Sequence, residues 1–230
     1  MKYHKVLIKF SGEAFGSKDK SFDLSKVNLL VEEIKQLKKS GLQIAIVCGG
    51  GNVGRGRDAR KGDRIEVDFR GMKGTLNNAA LLDRLLRKSK IPVSLYTSFS
   101  VRSKYPKFDY LRVIRDWDAG KIIILAGGTG YPFFSTDTSS VLFSLILGCD
   151  QFIKATKVSG VYSADPLKFP KAKKFTRISA QKYIKLNLAV VDRTAVSLAK
   201  ENSLPIRVIS WQPQNLVKLI KGQNLGSQIK

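Results

Sequence analysis

Histidine is almost missing from this chain, with His4 the single example in 230 residues, so no histidine-based zinc cluster can be built. Cysteine is equally scarce. Cys48 and Cys149 are isolated thiols in apolar surroundings, which suits buried cysteine in a reducing compartment better than a disulfide or metal site. No apolar run approaches the length of a membrane span, and residues 1–10 combine basic residues with a short apolar stretch and no small-residue cleavage site. A cytoplasmic protein without membrane partners is expected. Repeats and low-complexity tracts are absent, and Pro, Gly and Ser do not pool into a linker, so one domain over residues 1–230 is expected. The pattern GxxxxGK[ST] does not occur, which excludes a P-loop, and the HRD and DFG pieces of a protein kinase are missing.

Acidic residues are also short in supply. Against 41 Lys and Arg stand 18 Asp and Glu, a formal charge of +23 that attracts polyanions: phosphorylated small molecules, nucleic acid or anionic membranes. The basic residues are spread along the chain. Only residues 55–64 and 168–177 are denser, and neither has the aromatic interleaving of a single-strand-binding surface. Charge alone fixes no site. A solvated basic surface is the plainer reading, and nucleic-acid binding is not predicted.

What the chain does contain is a regular alternation of short apolar runs and amphipathic segments. Lys5–Phe10, residues 42–47, Val93–Thr97, Ile122–Ala126, residues 152–155 and residues 206–209 read as buried strands. Between them, helical spacing appears from Leu24 (with Asp23 as N-cap and Gly41 as stop), over 67–86, 110–117, 135–147, 178–186, 194–201 and 215–221. Strands alternating with helices predict an α/β fold, a three-layer αβα sandwich around a mainly parallel sheet.

Ligands of such sheets gather beyond the strand ends, and here those ends are unusual. The first strand runs from Lys9 and Phe10 into Ser11 and Gly12, so a lysine ammonium and backbone N–H groups meet at one turn. A surface lysine is commoner in so basic a chain, but strand-end position argues against it. The second strand ends in Gly49, Gly50, Gly51, Asn52, Val53, Gly54 and Arg55, where a guanidinium suits a phosphate. This stretch contains GxGxxG, with Asp68 at the distance of a dinucleotide ribose contact. Two features oppose that reading: the following residues up to Asp63 are too charged and Gly-broken for a tightly packed helix, and the loop follows the second strand instead of the first. Asp68 could complement a helix dipole or accept from sugar hydroxyls.

The fourth strand leads into Gly127, Gly128, Thr129, Gly130, Tyr131, Pro132, Phe133, Phe134, Ser135, Thr136 and Asp137, with hydroxyls and a carboxylate at a helix start. The fifth ends in Lys154, Ala155 and Thr156, then Lys157 through Tyr162 to Asp165 and Pro166. Tyr162 could stack on a base, and Asp165 before proline is expected to leave its carboxylate free. Residues 166–174 read as a surface loop. Asp192 follows the apolar stretch 188–191; a buried carboxylate there needs a cation, which Lys9 or Lys154 would provide. Four glycine-rich strand ends with two lysines, an arginine and several acids fit phosphoryl transfer, which needs mainly cations and N–H donors holding two phosphorylated ligands in line.

In their order and spacing, the loops Lys9-Phe10-Ser11-Gly12-Glu13-Ala14, Gly49-Gly50-Gly51-Asn52 with Arg55, Asp68 before Gly71-Met72, Gly128-Thr129-Gly130 through Asp137, and Lys154-Ala155-Thr156-Lys157 through Asp165-Pro166 resemble the bacterial uridylate kinases of the amino acid kinase superfamily. The segment Pro132 to Asp137 favours that branch over its amino-acid-phosphorylating relatives. The resemblance implies transfer of the γ-phosphoryl of ATP, accompanied by magnesium, to UMP, in a homohexamer. By the same pattern Lys9, Phe10, Ser11, Gly12, Gly51, Arg55, Thr156, Tyr162 and Asp165 would bind ATP. Gly50, Asp68, Thr129, Gly130, Tyr131, Pro132, Phe133, Phe134, Ser135 and Thr136 would bind UMP. Lys9, Arg55, Asp137, Lys154 and Asp192 would be catalytic, with no metal held directly by the protein. Departures from the pattern are Phe69 and Arg70 after Asp68, the absence of a glycine-rich form over residues 16–22 that accompanies GTP activation, and the size of the positive charge.

Overall fold

The computed structural model describes residues 3–17, 21–52, 63–100 and 105–230. Its centre is an eight-stranded sheet. The strands are β1 (Lys5–Phe10), β2 (Gln43–Cys48), β3 (Val93–Thr97), β4 (Ile122–Ala126), β5 (Gln151–Thr156), β8 (Arg177–Ile178), β9 (Ile206–Ser210) and β10 (Ser227–Ile229), in the order β3-β4-β2-β1-β5-β9-β10-β8. All pairings from β3 to β9 are parallel, and β10 runs antiparallel to β9. A two-stranded hairpin, β6 (Val161–Tyr162) with β7 (Lys174–Phe175), stands apart.

The helices are α1 (Leu24–Lys39), α2 (Arg64–Lys88), α3 (Tyr110–Asp118), α4 (Thr136–Ile146), α5 (Ala180–Lys185), α6 (Arg193–Glu201) and α7 (Asn215–Ile220). Because side chains alternate across a strand, the sheet divides the core in two. Ile8, Ile46, Ile124 and Ile153 pack beneath α1, α2 and α7, whereas Leu7, Val47, Ile123 and Phe152 pack beneath α3, α4 and α6. The three-layer αβα sandwich expected from the alternation of elements is the architecture found.

Local chemistry sets the helix limits. Asp23, Asp63, Asp109, Ser135, Ser179 and Asp192 each cap a helix by accepting from a backbone N–H of its first turn. Helix α7 has no side-chain cap of its own, since Gln214 at its start is left-handed; the buried Glu33 of α1 accepts from the amides of Leu216 and Val217 instead. Four expectations are corrected. Helix α2 begins at Arg64 and not at residue 67; residues 178–186 split into the short strand β8 and helix α5; and residues 206–209 are not the last strand, because the polar segment Ser-Gln-Ile of β10 pairs with them. Residue 174, assigned to a loop, pairs in the hairpin.

Candidate active site

Lys9 of β1 and Lys154 of β5 are direct partners across the parallel ladder. Paired residues share a sheet face, and theirs is the one covered by α4, on which Leu7 and Phe152 also lie. Two ammonium groups placed opposite each other repel. The structure resolves this with Asp137 in the first turn of α4, whose Oδ1 lies 3.2 Å from Lys9 Nζ in an ion pair lacking hydrogen-bond alignment, while Oδ2 accepts from Lys154 Nζ. Lys154 also donates to the carbonyl of Val190. The three side chains are only 9%, 7% and 10% exposed for Lys9, Asp137 and Lys154. Burial by itself would raise the Asp137 pKa, but attraction to Lys154 and Lys9 outweighs it and holds the carboxyl well below the usual carboxylate range. For Lys154, burial dominates, and with repulsion from Lys9 it pushes the ammonium down to about 8 against the pull of Asp137.

Around this triad opens a cleft of about 690 Å³. Ser11, Gly12, Gly50, Gly51, Asp68, Thr129, Tyr131, Phe134, Ser135, Thr136, Thr156, Tyr162, Asp165 and Asp192 line it, together with Lys9, Asp137 and Lys154. Four of the expected site residues do not. Phe10 is fully buried with its ring in the core under α1, so only its carbonyl, which accepts from the Gly49 amide at 2.7 Å, touches the glycine loops. Gly130, Pro132 and Phe133 lie off the cleft wall. Arg55 lies outside the described residues.

The glycines of two strand ends interlock. A Cβ on Gly12 would stand 2.5 Å from the Gly51 nitrogen, and one on Gly50 would stand 2.5 Å from the Gly71 carbonyl oxygen of α2, so each contact requires a bare backbone. Behind them Asn52 and Asn78 form a reciprocal amide pair at 2.7 and 3.1 Å, and Asn78 Nδ2 also donates to the Gly49 carbonyl at 2.6 Å. Thr75 Oγ1 accepts from the Gly127 amide at 2.8 Å, joining α2 to the loop after β4. Sequence reasoning missed Thr75, Asn78 and the Val190 carbonyl. The first two carry no local motif, and a main-chain acceptor carries no side-chain signal at all.

Asp192 does not partner a lysine as expected. Its carboxylate caps α6 at Ala195 and accepts from the hydroxyls of Ser135 and Thr138, thereby fixing the start of α4, and Asp137 takes the lysines instead. Asp68 Oδ2 accepts from Arg64 Nε at 2.7 Å and from the Phe133 amide at 2.8 Å. Phe133 has φ of +71°, a left-handed backbone costing an aromatic residue about 1–2 kcal/mol. Tyr162 shares a 2.6 Å hydrogen bond with Ser159, and Asp165 is not wholly free, since Oδ1 accepts from the Leu167 amide at 3.0 Å.

Bare backbone at neighbouring strand ends, facing two buried cations and a helix N-terminus, defines an α/β protein that binds polyphosphate ligands at the carboxyl edge of its sheet. The sequence model described as the amino acid kinase family matches residues 4–210. A uridylate kinase of Rickettsia bellii is 39% identical over 97% of this chain and 95% of its own length, and one from a Wolbachia of Brugia malayi is 37% identical over 96% and 92%. The crystal structure of a UMP kinase from Bacillus anthracis superposes with a TM-score of 0.92 at 31% identity, covering 99% of this chain and 96% of that one. The chain belongs to the amino acid kinase family and, within it, to the uridylate kinases. None of these relatives supports a nucleic-acid-binding or regulatory module in place of an enzyme.

Proposed function

We propose that residues 1–230 act as one catalytic domain transferring the γ-phosphoryl of ATP to UMP, giving ADP and UDP. The Lys9–Asp137–Lys154 triad at the head of the cleft carries this reading, since two ammoniums held by one carboxylate leave a net positive charge where the phosphoryl group would pass. The acceptor oxygen attacks the γ-phosphorus while the bond to the β-phosphate oxygen breaks, and charge spreads over the three equatorial oxygens. Lys9 and Lys154 are poised to neutralise that charge from buried side chains, where the interaction is stronger than in bulk water. No general base is needed. A phosphate monoester, with a second pKa near about 6, is already a dianion at neutral pH, and Asp137, with its pKa held low, is a poor proton acceptor.

Gly12 and Gly51 present backbone to the donor phosphates, with Ser11, Thr156, Tyr162 and Asp165 further along the same wall. Gly50, Asp68, Thr129, Tyr131, Phe134, Ser135 and Thr136 surround the acceptor, with Asp68 at its ribose. Arg55 is assigned to the transferred phosphate by the family pattern, and Asp192 acts by fixing the start of α4. Magnesium fits this site as a companion of ATP. Both Asp137 oxygens face lysines, and among the described residues no cluster of His, Cys, Asp or Glu could hold a metal ion. When bound to the phosphates, the ion would neutralise part of their charge. Assembly as a homohexamer and a cytoplasmic location complete the proposal; among the described residues no helix is long and apolar enough to cross a membrane.

The test is ADP release from ATP with UMP, with CMP and with no acceptor. Turnover with UMP well above the other two is expected. Equal rates in all three would overturn the acceptor assignment, and no release in any would overturn the activity.

A further inference from the structure

Two residues held against their local preferences converge on one oxygen of Asp68. Arg64 is the first residue of α2, where the helix dipole disfavours a cation, and it precedes its acidic partner by four positions, the weaker order for an ion pair along a helix. Its side chain is 51% exposed, so the pair stabilises the fold little. Phe133 adopts the left-handed backbone that aromatic residues avoid, and its amide reaches the same Oδ2 from a loop 65 residues away. The Arg64 guanidinium carbon also stands 5.7 Å from the centre of the Phe133 ring. Local cost retained at one point marks a position set for geometry.

We infer that Arg64 is a positioning residue for the acceptor nucleotide. With the Phe133 amide it occupies Asp68 Oδ2, fixes the carboxylate rotamer and leaves Oδ1 to accept a sugar hydroxyl. The hydrogen bond from the Phe133 amide to that oxygen ties the start of α2 to the loop after β4, so both sides of the acceptor end are set by one carboxylate. This rests on the reading of the cleft as an ATP and UMP site.

Steady-state kinetics of wild type, Arg64→Gln and Arg64→Lys with UMP and ATP varied separately provide the test. Losing one charged hydrogen bond at a partly exposed site should raise the UMP KM about tenfold in Arg64→Gln. The ATP KM and kcat should stay within about twofold, as expected for lost ground-state positioning alone. Arg64→Lys, which keeps the charge, should fall between the two. A UMP KM unchanged in Arg64→Gln, or equal losses for both nucleotides, would overturn the inference while leaving the UMP kinase reading intact. A wild-type protein that fails to phosphorylate UMP would overturn both.

Discussion

The two ends of the cleft hold their carboxylates in opposite ways. Asp137 is buried between two lysines supplied by neighbouring strands whose register is fixed by the ladder. Asp68, with its side chain 13% exposed, lies on the first turns of a helix, held by an arginine that is itself 51% exposed and by the amide of a strained loop. The difference follows the chemistry assigned to each end. Charge that develops during transfer is best met by groups already fixed and dehydrated, because they need no reorganisation when the reaction occurs. A sugar only has to be located, and it must enter and leave, so a contact of modest strength near solvent suffices.

Isosteric replacement of each carboxylate should separate the two ends. Asp137→Asn leaves two buried ammoniums facing each other without a counter-charge, and a loss of about 3–5 kcal/mol is expected. At about 2–4 °C per kcal/mol for a chain of this size, thermal unfolding should record a drop on the order of 10 °C. The wild-type contribution should also depend on acid. Since folding lowers the Asp137 pKa below its ordinary value of 3.8, its stabilisation is fully present above that value and is lost as the pH falls below it. The Asp137→Asn variant should lack this component of acid unfolding.

Asp68→Asn, by contrast, should leave the midpoint within about 2 °C, because its partner Arg64 is half-exposed and such an ion pair stabilises little. Its effect should be a rise of about tenfold in the UMP KM. Equal thermal losses at the two positions would remove the distinction between them.

The lysines near the strand ends were legible because, although a surface lysine is commoner in so basic a chain, Lys9 and Lys154 each stand close to the end of an apolar strand. Their counter-ion was not. The apolar run before Asp192 made it look like the buried acid, whereas its carboxylate is consumed by two hydroxyls and a helix cap, and the carboxylate near Lys9 and Lys154 is Asp137. Sequence position cannot decide which of two acids reaches a given ammonium; the docking of α4 against the sheet decides it. Strand β10 was missed for a related reason, since a polar three-residue segment gains strand character only from its partner β9.

Two smaller effects sharpen the contrast. Lys154 with its pKa lowered to about 8 should make kcat/KM for ATP fall tenfold per pH unit on the alkaline side, at a pH well below that of an ordinary lysine. A flat profile up to pH ~10 would show that burial does not weaken this ammonium in the free enzyme. Asp192→Ala removes an N-cap and the acceptor of two hydroxyls, and a loss of about 1–2 kcal/mol in stability with kcat reduced less than tenfold is expected. A fall in kcat as large as that of a strand-tip lysine variant would restore Asp192 to the reacting centre.

The most direct measurement is kcat for Lys154→Met at saturating ATP and UMP, with UDP formation followed and the folded state checked by circular dichroism. A fall of about 10²–10³-fold in kcat is expected if the paired lysines neutralise charge that appears only during transfer. An unchanged kcat with raised KM values alone would contradict this, showing that Lys154 merely helps nucleotide to bind.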